Sequence, residues 1–186
     1  MILTHYHHQN DRPFQTLSSV SDEEALSIIA SLKERTGSVY RRFDNPVEYL
    51  SHRRATESWL RNEFIKKGGK PTTEYPQYFV VDKSTWIEEG YNGQSKTIQI
   101  PISAFDADRV SFTYPDSMIS YWLKSQTDRK FYQPEYHGTV FNLCEIQDII
   151  DRFSIPQREW ETDPARKYDI FIEAQVWESI PEWSKN

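Results

Sequence analysis

The sequence predicts an α+β fold: one domain with a mostly antiparallel or mixed sheet, and a long helix from the N-terminal half packed on it. Three observations lead there. Helix signals concentrate before Pro71 and strand signals after it, and no Pro/Gly/Ser-rich linker, repeat or low-complexity tract separates the two halves. At 186 residues the chain has the length of one ordinary domain, so residues 1–186 are read as a single globular unit. Hydrophobic residues are only 37% of the chain, but six Trp, eleven Tyr and ten Phe supply large buried areas.

The elements follow in order. Residues 2–7 alternate as a short first strand, and 11–20 read as a loop. Ser21 with Glu24 three residues later makes a capping box, and Ala25, Ile28, Ile29 and Leu32 follow at helical spacing until Gly37. Asn45-Pro46 with Glu48 opens the clearest helix, which runs to about Lys67 and stops at Gly68-Gly69. Its apolar face is Leu50, Trp59, Leu60 and Phe64. Its middle is basic, with Arg53, Arg54 and Arg61 read as a mainly solvated face.

Beyond Pro71 the texture changes. Residues 78–81 form a short aromatic and β-branched strand, and 89–93 a turn. Residues 97–102 alternate with period two, Pro101 marking an edge or bulge. Residues 110–114 form a third strand of this half, and 116–123 a helix capped by Asp116. A polar aromatic loop spans 127–138. Asn142 and Glu145 cap a helix to Phe153, and 168–177 form a final strand.

Composition narrows the function classes. A net charge of −6 and a pI near 5.4 argue against general nucleic-acid binding. The single Cys144 cannot form an internal disulfide, which suits a reducing compartment. No run of about 18 apolar residues exists, and Met-Ile-Leu gives way to polar residues at once. The expectation is a cytoplasmic protein with no membrane partner.

Four segments are candidates for chemistry. In the first strand His5 and His7 share a face by alternation and are nominated for acid–base or ligand-holding roles. No His-Glu-x-x-His or paired-Cys spacing accompanies them, so no metal ligand is assigned. Asp116 and Ser117 open a helix beside Tyr114, where amides can receive an anion such as phosphate. Tyr136 and His137 sit in the aromatic loop before Gly138, suited to covering a planar ligand. Glu173 lies among apolar neighbours on the last strand, on one face with Phe171 and Gln175. A carboxylate there must be paired, hydrogen-bonded or facing a cleft; its competing fate is an ion pair with an arginine of the long helix.

The Thr4-His-Tyr-His7, Phe64–Gly69, Ser111–Met118, Tyr136–Gly138 and Ile172–Trp177 segments resemble a family of uncharacterised bacterial proteins, which implies a bacterial stand-alone cytosolic domain and no particular activity. The order of a His/Tyr strand, a mid-chain aromatic and a late glutamate also resembles ADP-ribosyltransferase-like proteins, including DNA-modifying toxins. That resemblance implies NAD as cofactor, His5 or His7 on the nicotinamide ribose, Tyr114 stacked on nicotinamide, and Glu173 orienting the ribose. Gln175 stands where arginine-specific members carry a second glutamate, and their Ser-Thr-Ser signature is absent. The expectations are therefore an NAD-using transferase, a non-catalytic module that binds a nucleotide or a protein and, third, a metal-dependent enzyme centred on His5 and His7. For the first, Glu173, Tyr114 and His5 or His7 must meet in one cleft.

Overall fold

The computed structural model describes residues 1–180. Strand β1 (Ile2–His8) leads through a loop to helix α1 (Asp22–Lys33), whose Ser21 cap accepts from the Glu24 amide. A 3₁₀ turn at Ser38–Phe43 precedes the long helix α2 (Pro46–Lys66), capped by Asn45. Then come β2 (Gln77–Val81), the short helix α3 (Thr85–Gly90), β3 (Ser95–Pro101), β4 (Val110–Thr113) and α4 (Ser117–Leu123). The two-residue β5 (Val140–Phe141), α5 (Leu143–Phe153) with its full Asn142/Glu145 capping box, α6 (Glu159–Thr162) and β6 (Glu173–Val176) complete the order.

The strands form one sheet in the order β3-β1-β2-β6-β4-β5, with every neighbouring pair antiparallel. The fold is thus α+β, as the segregation of signals implies. Residues directly opposite one another in an antiparallel pair share a face. Thr4, Val80, Glu173 and Thr113 form one row across four strands, and Tyr78, Gln175 and Ser111 a second row on the same face. Leu3, Phe79, Val81, Phe112, Ala174 and Val176 project to the other face, where α5 closes the main core with Ile146 and Ile149. Over the first face, α2 buries Trp59, Leu60 and Phe64 against Val140 and Trp177. Its N-terminal turns pack Tyr49 and Leu50 with α1 and the 38–43 turn.

Two local departures matter for the site. The predicted strand over 168–177 is paired only from Glu173, because a 3₁₀ turn at Pro164–Arg166 feeds Asp169 into the interior. The helix expected to reach Gly37 stops at Lys33, since Gly37 has a positive φ of 130° and starts the next turn. A Cβ at Gly37 would collide with the carbonyl oxygen of Gly90. That close approach brings the 38–43 turn against the end of α3, and both segments wall the same cleft.

Candidate functional site

A cleft of about 590 Å³ opens over the α2 side of the sheet. Thr4, Tyr78, Val80 and Glu173 floor it, the first turns of α2 form one wall, and α3 and the start of α4 form the others. Tyr6, Tyr49, Tyr78, Trp86, Tyr91 and Phe171 give it an aromatic lining. The volume lies within the range of small-molecule sites, and an apolar wall with a few convergent polar groups is their usual chemistry.

Glu173 is half-buried. Its Oε1 accepts from the Ser117 amide (3.3 Å) and from Gln175 Nε2 (3.1 Å). Oε2 bonds to no described residue and is the oxygen left to the cleft. Gln175 is fully buried and fixed in turn, since Ser111 Oγ donates to it (2.8 Å) and its amide also reaches Thr113 Oγ1 (3.1 Å). Trp177 Nε1 donates to the same Ser111 Oγ (2.8 Å). This chain of buried polar groups holds the Glu173 carboxyl in one orientation. Burial, then the nearby Asp116 carboxylate, pushes Glu173 up to about 7, against the opposing hydrogen bonds and the charge of Arg53. Asp116 is also raised, chiefly by burial.

The start of α4 is not a vacant anion site. Asp116 Oδ1 takes the Ile119 amide (3.1 Å) and Glu173 takes the Ser117 amide, so the protein's own carboxylates occupy the exposed donors. Asp116 and Ser117 both line the cleft, Ser117 through the amide that holds Glu173 and Asp116 as the helix cap whose carboxylate lies near it.

Arg53 is the cation that the composition of α2 concealed. Its side chain is 15% exposed. Nε donates to Glu57 Oε1 (2.8 Å), Nη1 to Tyr49 Oη (3.3 Å), and the guanidinium lies 4.1 Å from the Tyr78 ring centroid. Nη2 bonds to no described residue and opens to the cleft. The ion pair with an α2 arginine that competed for Glu173 is therefore not formed: the carboxylate paired with Arg53 is Glu57. The i,i+4 spacing of Arg53 and Glu57 was a usable signal for that pair. The period-two alternation that puts Tyr78 opposite Phe79 was the signal for its ring.

His5 borders the cleft but has no nitrogen to spare. β1 pairs with β2 over Leu3–Val81 and Thr4–Val80; beyond that pairing His5 Nδ1 donates to the Tyr78 carbonyl (2.9 Å) in place of a ladder bond. Nε2 accepts from the amide of Phe14 (3.1 Å), a residue at positive φ. A carbonyl must accept and an amide must donate, so the ring is the neutral Nδ1–H tautomer. Burial lowers it to about 4, with the His7 ring adding to the shift. The bond pins the 9–20 loop, whose Gln15 reaches the cleft, onto the sheet. His7 is half-buried, its Nδ1 shared between the His8 and Asp11 carbonyls (3.0 and 3.1 Å), and it does not line the cleft.

The His5 bond sets a pH dependence of stability. The folded value lies below the unfolded 6.5, so the contribution is fully present above pH 6.5 and is lost as pH falls toward 4. The shift corresponds to about 3 kcal/mol at most. In urea unfolding, the fall in wild-type stability between pH 7 and pH 4.5 should shrink in His5→Gln. An equal fall in both chains would show that His5 does not carry it.

The remaining nominated residues lie on the other side of the sheet. Tyr114, Tyr136 and His137 form a buried network around Asp169, which is fully buried. Asp169 accepts from Tyr136 Oη (2.7 Å), His137 Nε2 (2.9 Å) and Arg166 Nε (3.1 Å), and Arg166 Nη2 donates to Tyr114 Oη (2.6 Å). The Gln133 amide donates to His137 Nδ1 (3.0 Å), which fixes the Nε2–H tautomer. Tyr114 and Tyr136 stack with centroids 4.4 Å apart. The 127–138 segment is therefore clamped to the 164–169 turn rather than laid over a ligand. Tyr114 does not meet Glu173 in the cleft, and His5 meets it there only with its ring already engaged. Aromatic side chains over the cleft come instead from α2, α3 and Tyr91, which the loop motifs did not indicate.

Among the described residues no group of three His, Cys, Asp or Glu side chains could hold a metal ion, and no helix is long and apolar enough to cross a membrane. No protein-family profile, curated protein sequence or solved structure matches the chain.

Proposed function

We propose that this protein is an NAD-using ADP-ribosyltransferase-like enzyme in which Glu173 is the working carboxylate. The observation that carries the reading is the pairing of two unspent groups in one aromatic cleft: Glu173 Oε2 and Arg53 Nη2. The choice of NAD among nucleotides rests on the resemblance in residue order to ADP-ribosyltransferase-like proteins. In the reaction the bond between ribose C1′ and the nicotinamide nitrogen breaks, and its electron pair leaves with nicotinamide. A bond from C1′ to an acceptor oxygen or nitrogen forms, and the acceptor's proton passes to Glu173. A carboxylate raised to about 7 is a base matched to neutral pH. Its charge also favours the positive ribose of the transition state. Arg53 takes the anchoring part that the resemblance gave to a first-strand histidine, because its free Nη2 can donate to a substrate oxygen.

A second reading, a module that binds a nucleotide without turning it over, is favoured by how many polar groups at the cleft are already engaged. His5 and the amides at the start of α4 are used internally. The two readings separate on release of nicotinamide from NAD, supplied with and without candidate acceptors, by wild type and by Glu173→Gln. Release that requires Glu173 supports the enzyme. NAD binding that persists in both chains without release supports the module.

A further inference from the structure

An arginine beside a glutamate in a half-buried cleft would ordinarily close into an ion pair and hold the glutamate ionised. Here Arg53 acts on Glu173 through space yet is bonded elsewhere. What holds it elsewhere is Glu57, a carboxylate only 2% exposed on the covered side of α2. Its Oε1 accepts from both Arg53 Nε (2.8 Å) and Tyr78 Oη (2.9 Å), while Oε2 is buried with no partner among the described residues. An orphaned carboxylate oxygen is costly, and a buried ion pair can often be replaced by apolar side chains of similar volume with no loss of stability. Packing alone does not explain this residue.

We propose that Glu57 is a positioning residue of the cleft: it holds Arg53 on the ring of Tyr78 and absorbs part of its charge, so that Arg53 offers its free terminal NH2 group beside Glu173 without drawing Glu173 into an ion pair. The inference rests on the reading of Glu173 as the working carboxylate. The geometry supplies each part. Tyr78 stays protonated, burial keeping it well above the usual phenol value, so its hydroxyl donates to Glu57. The same ring carries the guanidinium on its face. Tyr49 Oη fixes Nη1, which leaves Nη2 as the one terminal nitrogen free for a ligand. The charged or titratable groups facing Glu173 are Asp116 from the start of α4, Arg53 from α2 and Tyr78 from β2. Glu57 stands behind Arg53 and governs how much of its charge Glu173 feels.

The test is the titration of Glu173 itself, followed by ¹³C NMR of carboxyl-labelled glutamates with no ligand present, the signal being assigned by its loss in Glu173→Gln. Arg53→Met should raise the midpoint, because the neighbouring cation is gone. Glu57→Gln should lower it by about one unit or more, because Arg53 is released to act on Glu173. A midpoint that stays put or rises in Glu57→Gln overturns the proposal. Loss of the Glu57 charge by itself lowers a neighbouring carboxyl, so the positioning role is read from a fall that is larger with Arg53 in place than in the Arg53→Met background. Equal falls in both backgrounds also overturn the proposal. Where a single variant fails to fold, Arg53→Met with Glu57→Gln leaves no lone buried charge. Its midpoint should lie above wild type, and one at or below wild type also overturns the idea. An active Glu173→Gln enzyme would remove the NAD reading while leaving this titration result as it stands.

Discussion

Glu173→Gln is expected to lower nicotinamide release by about 10²–10⁴-fold with little change in affinity for ADP-ribose. Glutamine keeps the acceptor oxygen that binds the Ser117 amide, so the cleft should hold its shape. It cannot take a proton. The wild-type rate should rise with pH through about 7, as Glu173 ionises, and the residual rate of the variant should lose that rise. Steady-state rates from pH 5 to 9 on both chains make the comparison. A variant that keeps the wild-type rate and profile would remove Glu173 from the mechanism.

The same shift has a consequence for stability, with the opposite benefit. A carboxyl whose folded value is raised above 4.5 stabilises fully below that value, and the contribution is lost as pH rises through about 7. Glu173→Gln should therefore melt above wild type at pH 8, and the difference should narrow at pH 5. The active form of the cleft and its least comfortable form are the same ionised state. Residues placed for chemistry rather than packing commonly carry such a cost.

The largest stability effect is expected away from the cleft, at Asp169. Asp169→Ala removes the acceptor shared by Tyr136, His137 and Arg166, leaving buried donors and a cation without their partner. The loss should be about 3–5 kcal/mol, measured by urea unfolding at pH 7. Where the variant still folds, its nicotinamide release should remain near wild type, because the network does not reach the cleft. A selective loss of catalysis with intact stability would instead return Tyr136 and His137 to the site.

Local chemistry made much of the fold legible. Asn45-Pro46 and the Asn142/Glu145 box mark helix starts because an unsatisfied amide needs a nearby oxygen, and that need is met within three residues. The alternation in β3 likewise marks a half-buried strand. The short α3, α6 and β5 escaped because two to six residues cannot establish a period. Residues 168–172 read as strand from their apolar texture, yet ladder pairing begins only at Glu173, because Asp169 is turned inward to its buried donors; propensity gave way to a tertiary hydrogen-bond network.

The site divides along the same line. By itself the sequence determined that Glu173 sits on a late strand on one face with Gln175, because strand alternation is a property of the backbone. It also determined that α2 carries its arginines at helical spacing from its glutamates. Only the tertiary structure decided which groups remain free. His5 loses both nitrogens to Tyr78 and Phe14, and Tyr114, Tyr136 and His137 are spent on Asp169. Arg53, in turn, is held by Glu57 and leaves Glu173 unpaired. Each of these outcomes is a choice among partners distant in sequence or a competition for one cation, settled by which hydrogen bonds the packed chain can satisfy at once.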